Sequence, residues 1–379
     1  MRIAINGRVL IKNKLEGVGY FTFEVLKNMV TTYPDNDYLV LFDQKPDKEM
    51  LIPGVEYRVI YPPARHPLLY MIWFEITMPF YLSQWDADIF LSLDGFCSLY
   101  TKVPTVLCIH DLAYLHYPTY IPSRALWYYR NFQEKFAHKA KQIITVSEFS
   151  KQDLIQQYGL SNFKIDVVYN GSRFEKKQIE IDENVLSKYK VTADKYFIYT
   201  GSIHPRKNIE LLIDAFNRFC EKDESGLYHL VLVGRNAWMT DDIMKMAKES
   251  KFADRIIFTG YLDDVSLWSL LCRATALCYI SNWEGFGVPL LDAMHAKTAI
   301  ICSNTTSLPE VAGSAAVLVD PQNPDQVSEA MYDLSTQPDL RRKLVEEGQI
   351  QKLKFSWLNT SKNIYNICKI VFNNNHSNV

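Results

Sequence analysis

Short apolar runs recur along this chain of 379 residues, each the length of a strand, and that alternation constrains the fold more than any other feature. In the first half the runs are Arg2–Asn6, Tyr38–Phe42, Ile89–Leu93, Val106–Ile109 and Ile143–Val146. In the second half they are Tyr196–Thr200, His229–Val233, Ile256–Thr259, Ala276–Ile280 and Ala299–Cys302. Near-continuous apolar runs are what strands buried on both faces need, and amphipathic stretches follow many of them. The pattern predicts an α/β protein with parallel sheets. It breaks once, between Gly171 and Asp194, where the chain turns polar and charged. The boundary is placed there, giving two doubly wound, Rossmann-like domains facing across a cleft, residues 1–175 and 190–354, with a tail from 355 to 379. Ligands of such sheets gather at the carboxyl ends of the strands. The tail reads as an amphipathic helix from Phe355 to Phe372, then as a frayed polar end from Asn373 to Val379.

A net charge of −2 argues against nucleic acid as a partner. The seven cysteines form no C-x-x-C pair and are odd in number, so they are read as reduced, which fits a cytoplasmic protein. Met1 leads straight into an apolar strand, so no signal peptide is expected. No run reaches the roughly 20 apolar residues of a membrane span. The nearest, Leu68 to Leu82, is interrupted by Glu75 and Pro79. That segment, and Arg124 to Lys141 with its mixed aromatic and basic side chains, allow two readings. They are helices packed on the first sheet, which is preferred, or surfaces for peripheral contact with the inner face of the cell membrane.

Four motifs stand at strand ends. Glu284-Gly285-Phe286-Gly287-Val288-Pro289 follows the run Ala276–Ile280 and opens a helix that contains Asp292. Pro289 suits a first helical turn, and the bare N–H groups there make an anion site. The two acids could receive sugar hydroxyls, or could be a helix cap and a surface acid. Gly201 to Asn208, after Tyr196–Thr200, holds Arg206 and Lys207, either a diphosphate clamp or an ordinary basic loop pair. Gly17-Val18-Gly19 is read as a loop before a helix starting near Tyr20, a plausible phosphate nest. Thr22 replaces the third glycine of a dinucleotide fingerprint, which counts against an NAD or FAD enzyme. His110-Asp111 follows Val106–Ile109, where His110 is either structural or a contact for a sugar hydroxyl. The triplets Asp35-Asn36-Asp37 and Asp86-Ala87-Asp88 precede strands and read as turns rather than metal ligands.

Taken together, these motifs resemble the retaining glycosyltransferases of family four, of the GT-B fold. Val146-Ser147-Glu148, Val168-Tyr169-Asn170-Gly171 and Ser307 to Gly313 extend the resemblance over nearly the whole chain. The resemblance implies a hexosyltransferase that takes a UDP- or GDP-sugar in the second domain and a saccharide or lipid-linked acceptor in the first, without a metal. It implies a place in surface polysaccharide assembly, with mannosyl or glucosyl transfer. Glu284 and His110 would meet the donor hexose, and Arg206 and Lys207 the diphosphate. Gly17 and Gly19 would close on the phosphates. Gly201, Gly285, Phe286, Gly287, Val288 and Leu291 would line the donor, and Asp292 would hold the ribose. The final helix would cross back onto the first domain. One departure stands out: the family has a second glutamate where this chain has Asp292, shorter by one methylene. A GT-B epimerase and a non-catalytic sugar-nucleotide-binding protein are the alternatives, and the intact motif residues argue against both.

Overall fold

The computed structural model describes residues 1–11, 17–175, 177–237 and 239–377. The chain divides into two compact units, Met1–Asn170 with Ser356–Val379, and Gly171–Phe355. Each is built on a parallel sheet.

In the first unit the described strands are β1 (Arg2–Asn6), β2 (Asp37–Phe42), β3 (Glu56–Val59), β4 (Ile89–Ser92), β5 (Thr105–Cys108), β6 (Gln142–Thr145) and β7 (Ile165–Val167). They pair in parallel in the order β3-β2-β1-β4-β5-β6-β7. Ile3 faces Tyr38 on one side and Ile89 on the other, so the winding reverses at β1 and β4. β4 and β5 are buried along their whole length, as their unbroken apolar runs require.

Two expectations about this unit change. Gly17, Val18 and Gly19 are helical and not loop. The helix Gly17–Thr32 begins at Gly17, so all three are its first turn. Gly19, Phe21 and Thr22 are buried and the Thr22 hydroxyl donates to the Val18 carbonyl at 2.9 Å, which fixes the early start. Residues 12–16 of that loop lie outside the described residues. The C-terminal helix also runs further than its apolar pattern, over Trp357–His376, where the His376 ring bonds the Phe372 carbonyl at 2.9 Å. That helix packs on Gly17–Thr32. Trp357 meets Phe21 at 5.8 Å, and Tyr33 stacks on Tyr365 at 3.6 Å.

The segment from Leu68 to Leu82 is helical, with a π-helical turn at Trp73–Thr77. Trp73, Phe74, Met78 and Leu82 are buried in the first unit's core. Among the described residues, no helix is long and apolar enough to cross a membrane. The cysteines are all free thiols.

In the second unit the described strands are β8 (Tyr196–Thr200), β9 (His229–Val233), β10 (Ile256–Gly260), β11 (Ala276–Tyr279), β12 (Ala299–Ser303) and β13 (Ala316–Val319). Their order is β10-β9-β8-β11-β12-β13, all parallel. The reversal falls between β8 and β11, the two strands that deliver Arg206-Lys207 and Glu284. The polar stretch after Gly171 is laid along the helix Asp264–Arg273: Phe174 packs on Trp268 at 4.8 Å, and the Asp182 N–H donates to the Ser269 hydroxyl at 2.9 Å.

Loops at the carboxyl ends of β8, β9 and β10 are laced through glycine backbone. The Gly201 N–H donates to the Val233 carbonyl at 2.9 Å, and the Gly234 N–H to the Gly260 carbonyl at 3.0 Å. Gly234 has φ +151°, and a Cβ there would lie 1.7 Å from the Gly201 carbonyl oxygen. Only glycine permits both that dihedral and that approach. Gly234→Ala is expected to lower unfolding free energy by about 2–3 kcal/mol in urea titration. A change within about 0.5 kcal/mol, the range of neutral surface substitutions, would contradict the close approach.

Candidate active site

The loops leaving β8 and β11 meet at the switch point and are tied by backbone. The Arg206 carbonyl accepts from the Asn282 N–H at 3.0 Å, and the Arg206 guanidinium donates back to the Trp283 carbonyl. His204 and Pro205 start a tight turn in which the His204 ring accepts the Arg206 N–H at 3.2 Å. Asn208 then takes a left-handed conformation, φ +59°, before the helix Ile209–Lys222 begins. That turn points Lys207 inward, where it is buried.

Lys207, Glu284 and Tyr279 form a closed triangle. The Lys207 ammonium lies 2.5 Å from Glu284 Oε1 and 2.8 Å from the Tyr279 hydroxyl, which is 3.0 Å from the same carboxylate oxygen. Arg206 Nη1 stands 3.6 Å from Glu284 Oε1. Burial would push the Glu284 carboxyl up, but Lys207 and then Arg206 outweigh it and hold it down at about 2. Burial, and then the Glu284 charge, push the Tyr279 phenol well above its ordinary value. Tyr279 therefore stays neutral, accepting from Lys207 and donating to Glu284. Tyr199 stacks parallel to it at 5.9 Å.

The turn after Glu284 is pinned from below. The Ser307 hydroxyl lies 2.9 Å from both the Glu284 and the Phe286 carbonyls. Gly287, at φ +104°, caps the helix Val288–Ala296, and a Cβ on it would fall 2.5 Å from Leu308 Cδ2. Gly285 through Val288 thus present backbone at a helix N-terminus, whereas the Phe286 and Leu291 side chains are buried, Phe286 against Phe355 at 5.7 Å. Gly201 sits at the end of β8 with φ +143°. Asp292 is buried in the second turn of its helix, where the Ser172 hydroxyl donates to its Oδ1 at 2.7 Å and Arg173 Nε lies 3.6 Å from Oδ2. Burial raises its pKa against the pull of Arg173 and Ser172.

His110 belongs to the first unit, two residues past β5. Its Nε2 donates to the Leu93 carbonyl at 2.9 Å, and Phe21 meets its ring edge-on at 4.9 Å. Burial lowers its pKa despite that bond, so it stands neutral with Nδ1 as an acceptor. Ser147 caps the helix Glu148–Tyr158 by accepting the Ser150 N–H at 3.0 Å. Among the described residues, no group of three or more His, Cys, Asp and Glu is placed to hold a metal.

Sequence reasoning missed three residues here. Tyr279 reads as one more apolar residue of its strand. Ser172 and Arg173 lie in the stretch read as linker, and only their position just after Asn170-Gly171 could have drawn notice.

The chain matches the model for glycosyl transferases group 1 over residues 181–351 and that for glycosyltransferase family 4 over residues 16–175. It is 30% identical over 271 residues to the O-antigen chain mannosyltransferase B of Escherichia coli, covering 70% of each protein. It is 25% identical to the O-antigen chain mannosyltransferase RfbU of Salmonella typhimurium, covering 64% of this chain and 65% of that one. Its 28% identity to the Escherichia coli serotype-specific mannosyltransferase WbdA takes in 61% of this chain and only 30% of WbdA. Among solved structures, Anabaena Alr3699/HepE in complex with UDP and glucose superposes with a TM-score of 0.74 at 17% identity, covering 97% of this chain and 99% of that one. WaaG, a glycosyltransferase involved in lipopolysaccharide biosynthesis, superposes with a TM-score of 0.76 at 15% identity and the same coverage. At those identities the likeness speaks for the fold, while sequence carries the family. The chain belongs to the glycosyl transferases group 1 family and is a hexosyltransferase built on the GT-B fold.

Proposed function

We propose that this enzyme transfers a hexosyl group, mannosyl first among candidates, from a UDP- or GDP-sugar to a saccharide or lipid-linked acceptor in surface polysaccharide assembly. The observation that carries the reading is the buried Lys207–Glu284–Tyr279 triangle at the switch point, beside the N-terminus of the helix Val288–Ala296. The mannosyl preference rests on relatives that are named mannosyltransferases.

Before donor arrives, Lys207 and Glu284 neutralise each other. A diphosphate brings negative charge that competes for Lys207 and Arg206, and the hexose hydroxyls take over as donors to Glu284. Asp292 accepts the ribose hydroxyls. The acceptor hydroxyl attacks the anomeric carbon, the anomeric bond to phosphate breaks, and the hydroxyl proton passes to the leaving phosphate oxygen on the same face. Configuration is thereby retained. The two cations and the helix N–H groups, already fixed by their partners, meet charge developing on the leaving group. In the first unit, the neutral His110 offers Nδ1 as an acceptor for a sugar hydroxyl, and Gly17 and Gly19 offer helix N–H groups to an anion.

The first unit also carries a surface for a lipid-bound acceptor. Leu68, Ile72, Ile76 and Phe80 recur every fourth residue and are exposed, Ile76 at 67% and Phe80 at 61%. Tyr70 on the same run meets Tyr128 at 5.4 Å, on the helix Ser123–Lys139, which exposes Trp127, Arg124, Arg130, Lys135 and Lys139. An apolar ridge beside basic side chains suits the headgroup region of an anionic bilayer.

Three outcomes are expected. Lys207→Ala and Glu284→Ala each lower kcat/KM at least tenfold in nucleoside diphosphate release, about 1.4 kcal/mol of transition-state stabilisation, and wild-type rates in both would refute the site. Because the Glu284 pKa is depressed to about 2, its stabilising charge is complete above the ordinary carboxylate range and is lost as pH falls toward 2. The stability gap between wild type and Glu284→Gln, measured by urea unfolding, should thus be constant from pH 8 to about 5 and narrow below it; a gap that narrows between pH 8 and 6 would show a carboxyl that is not held down. The wild-type protein floats with anionic liposomes, whereas Ile76→Asp with Phe80→Asp stays in the soluble fraction at unchanged donor turnover. Equal soluble recovery of wild type with and without anionic lipid would remove the bilayer from the reading.

A further inference from the structure

The acid proposed for the ribose is one methylene shorter than in the family, and the chain puts two partners on it. We propose that Ser172 and Arg173 are positioning residues of the nucleoside end of the donor site, holding the shortened Asp292 carboxylate where it accepts the ribose hydroxyls. This rests on the donor reading above and names residues outside it.

The geometry is specific. Ser172 donates to Asp292 Oδ1 at 2.7 Å, and its hydroxyl in turn accepts the Phe174 N–H at 3.0 Å, so its direction is set. The Arg173 backbone N–H also bonds the carboxylate. Its guanidinium lies 3.6 Å from Asp292 Oδ2 and 3.7 Å from Asp264 Oδ1, bridging two acids, and Lys177 pairs with the far side of Asp264. Phe174 anchors the segment on Trp268 at 4.8 Å. All of these residues lie in the second unit.

A carboxylate offers about four acceptor positions. The Ser172 hydroxyl and the Arg173 N–H use two, which leaves capacity for the two hydroxyls of a ribose. Fixing the carboxylate through these partners compensates for its lost reach, because a short acid must be placed where it is needed. Burial works against the charge of Asp292, and the Arg173 guanidinium works for it. Removing that cation should therefore weaken recognition of ribose hydroxyls and nothing else of the nucleotide.

The test is isothermal titration of UDP, GDP and their 2′,3′-dideoxy forms into wild type and variants, each checked for a cooperative melt. Wild type is expected to prefer a ribonucleotide over its dideoxy form at least tenfold. In Arg173→Gln the preference falls to threefold or less while dideoxy affinity is unchanged, and Ser172→Ala behaves alike. Arg173→Lys, which keeps a cation, restores most of it. Full preference in Arg173→Gln and Ser172→Ala, with loss in Asp292→Asn, overturns this proposal and leaves the donor reading standing. No preference in wild type overturns both.

Discussion

A carboxylate cannot be buried alone, and the second unit is arranged around that constraint. Glu284 is buried, and an isolated charge there would cost several kcal/mol even after relaxation. It is ionised because Lys207 reaches it at 2.5 Å with Arg206 behind. Lys207 arrives on the loop after β8 and Glu284 on the loop after β11, so the pair forms only if those strands are neighbours. The sheet order that makes them neighbours is the one in which the winding reverses between them. Tyr279 completes the arrangement from the end of β11, taking a hydrogen bond from the cation and giving one to the anion. A ligand that brings its own negative charge and its own hydroxyls can exchange partners with the pair without leaving either charge bare.

Much of this was visible in the residues. The ten apolar runs became strands because a strand covered on both faces has to be apolar throughout. Glu56–Val59, Ile165–Val167 and Ala316–Val319 were missed: all three are short edge strands, the first two with polar side chains among the apolar ones, the third apolar but mostly not buried. The site motifs could be placed because each follows a strand of the sheet centre. Gly17-Val18-Gly19 misled because two glycines suggest a turn, whereas burial of Gly19, Phe21 and Thr22 draws the residues into the helix. Tyr279 could not be singled out, since its ring is core and only its oxygen matters. Ser172 and Arg173 hid in a polar stretch whose partners lie far along the chain.

The two sheets answer one topological rule with different side chains. In the second unit the strand ends at the reversal carry the Lys207–Glu284 pair. In the first, Asn6 at the end of β1 donates to Asp94 after β4 at 2.8 Å, and Arg8 meets the same acid at 2.6 Å while its guanidinium lies 5.1 Å from the rings of Tyr70 and Phe96. Arg8 and Asp94 neutralise each other under aromatic cover, a lock on the strand ends.

The helix Trp357–His376 belongs to the first unit, although all of the second unit precedes it in the chain. During synthesis residues 1–170 emerge first, yet the apolar face around Phe21 and Tyr33 has no cover until Trp357 and Tyr365 have been made. The second unit has its whole sequence once Phe355 is out and can close earlier. The nascent chain thus carries an open aromatic seam from the time Tyr33 is made until Trp357 and Tyr365 follow, a surface for a chaperone to guard.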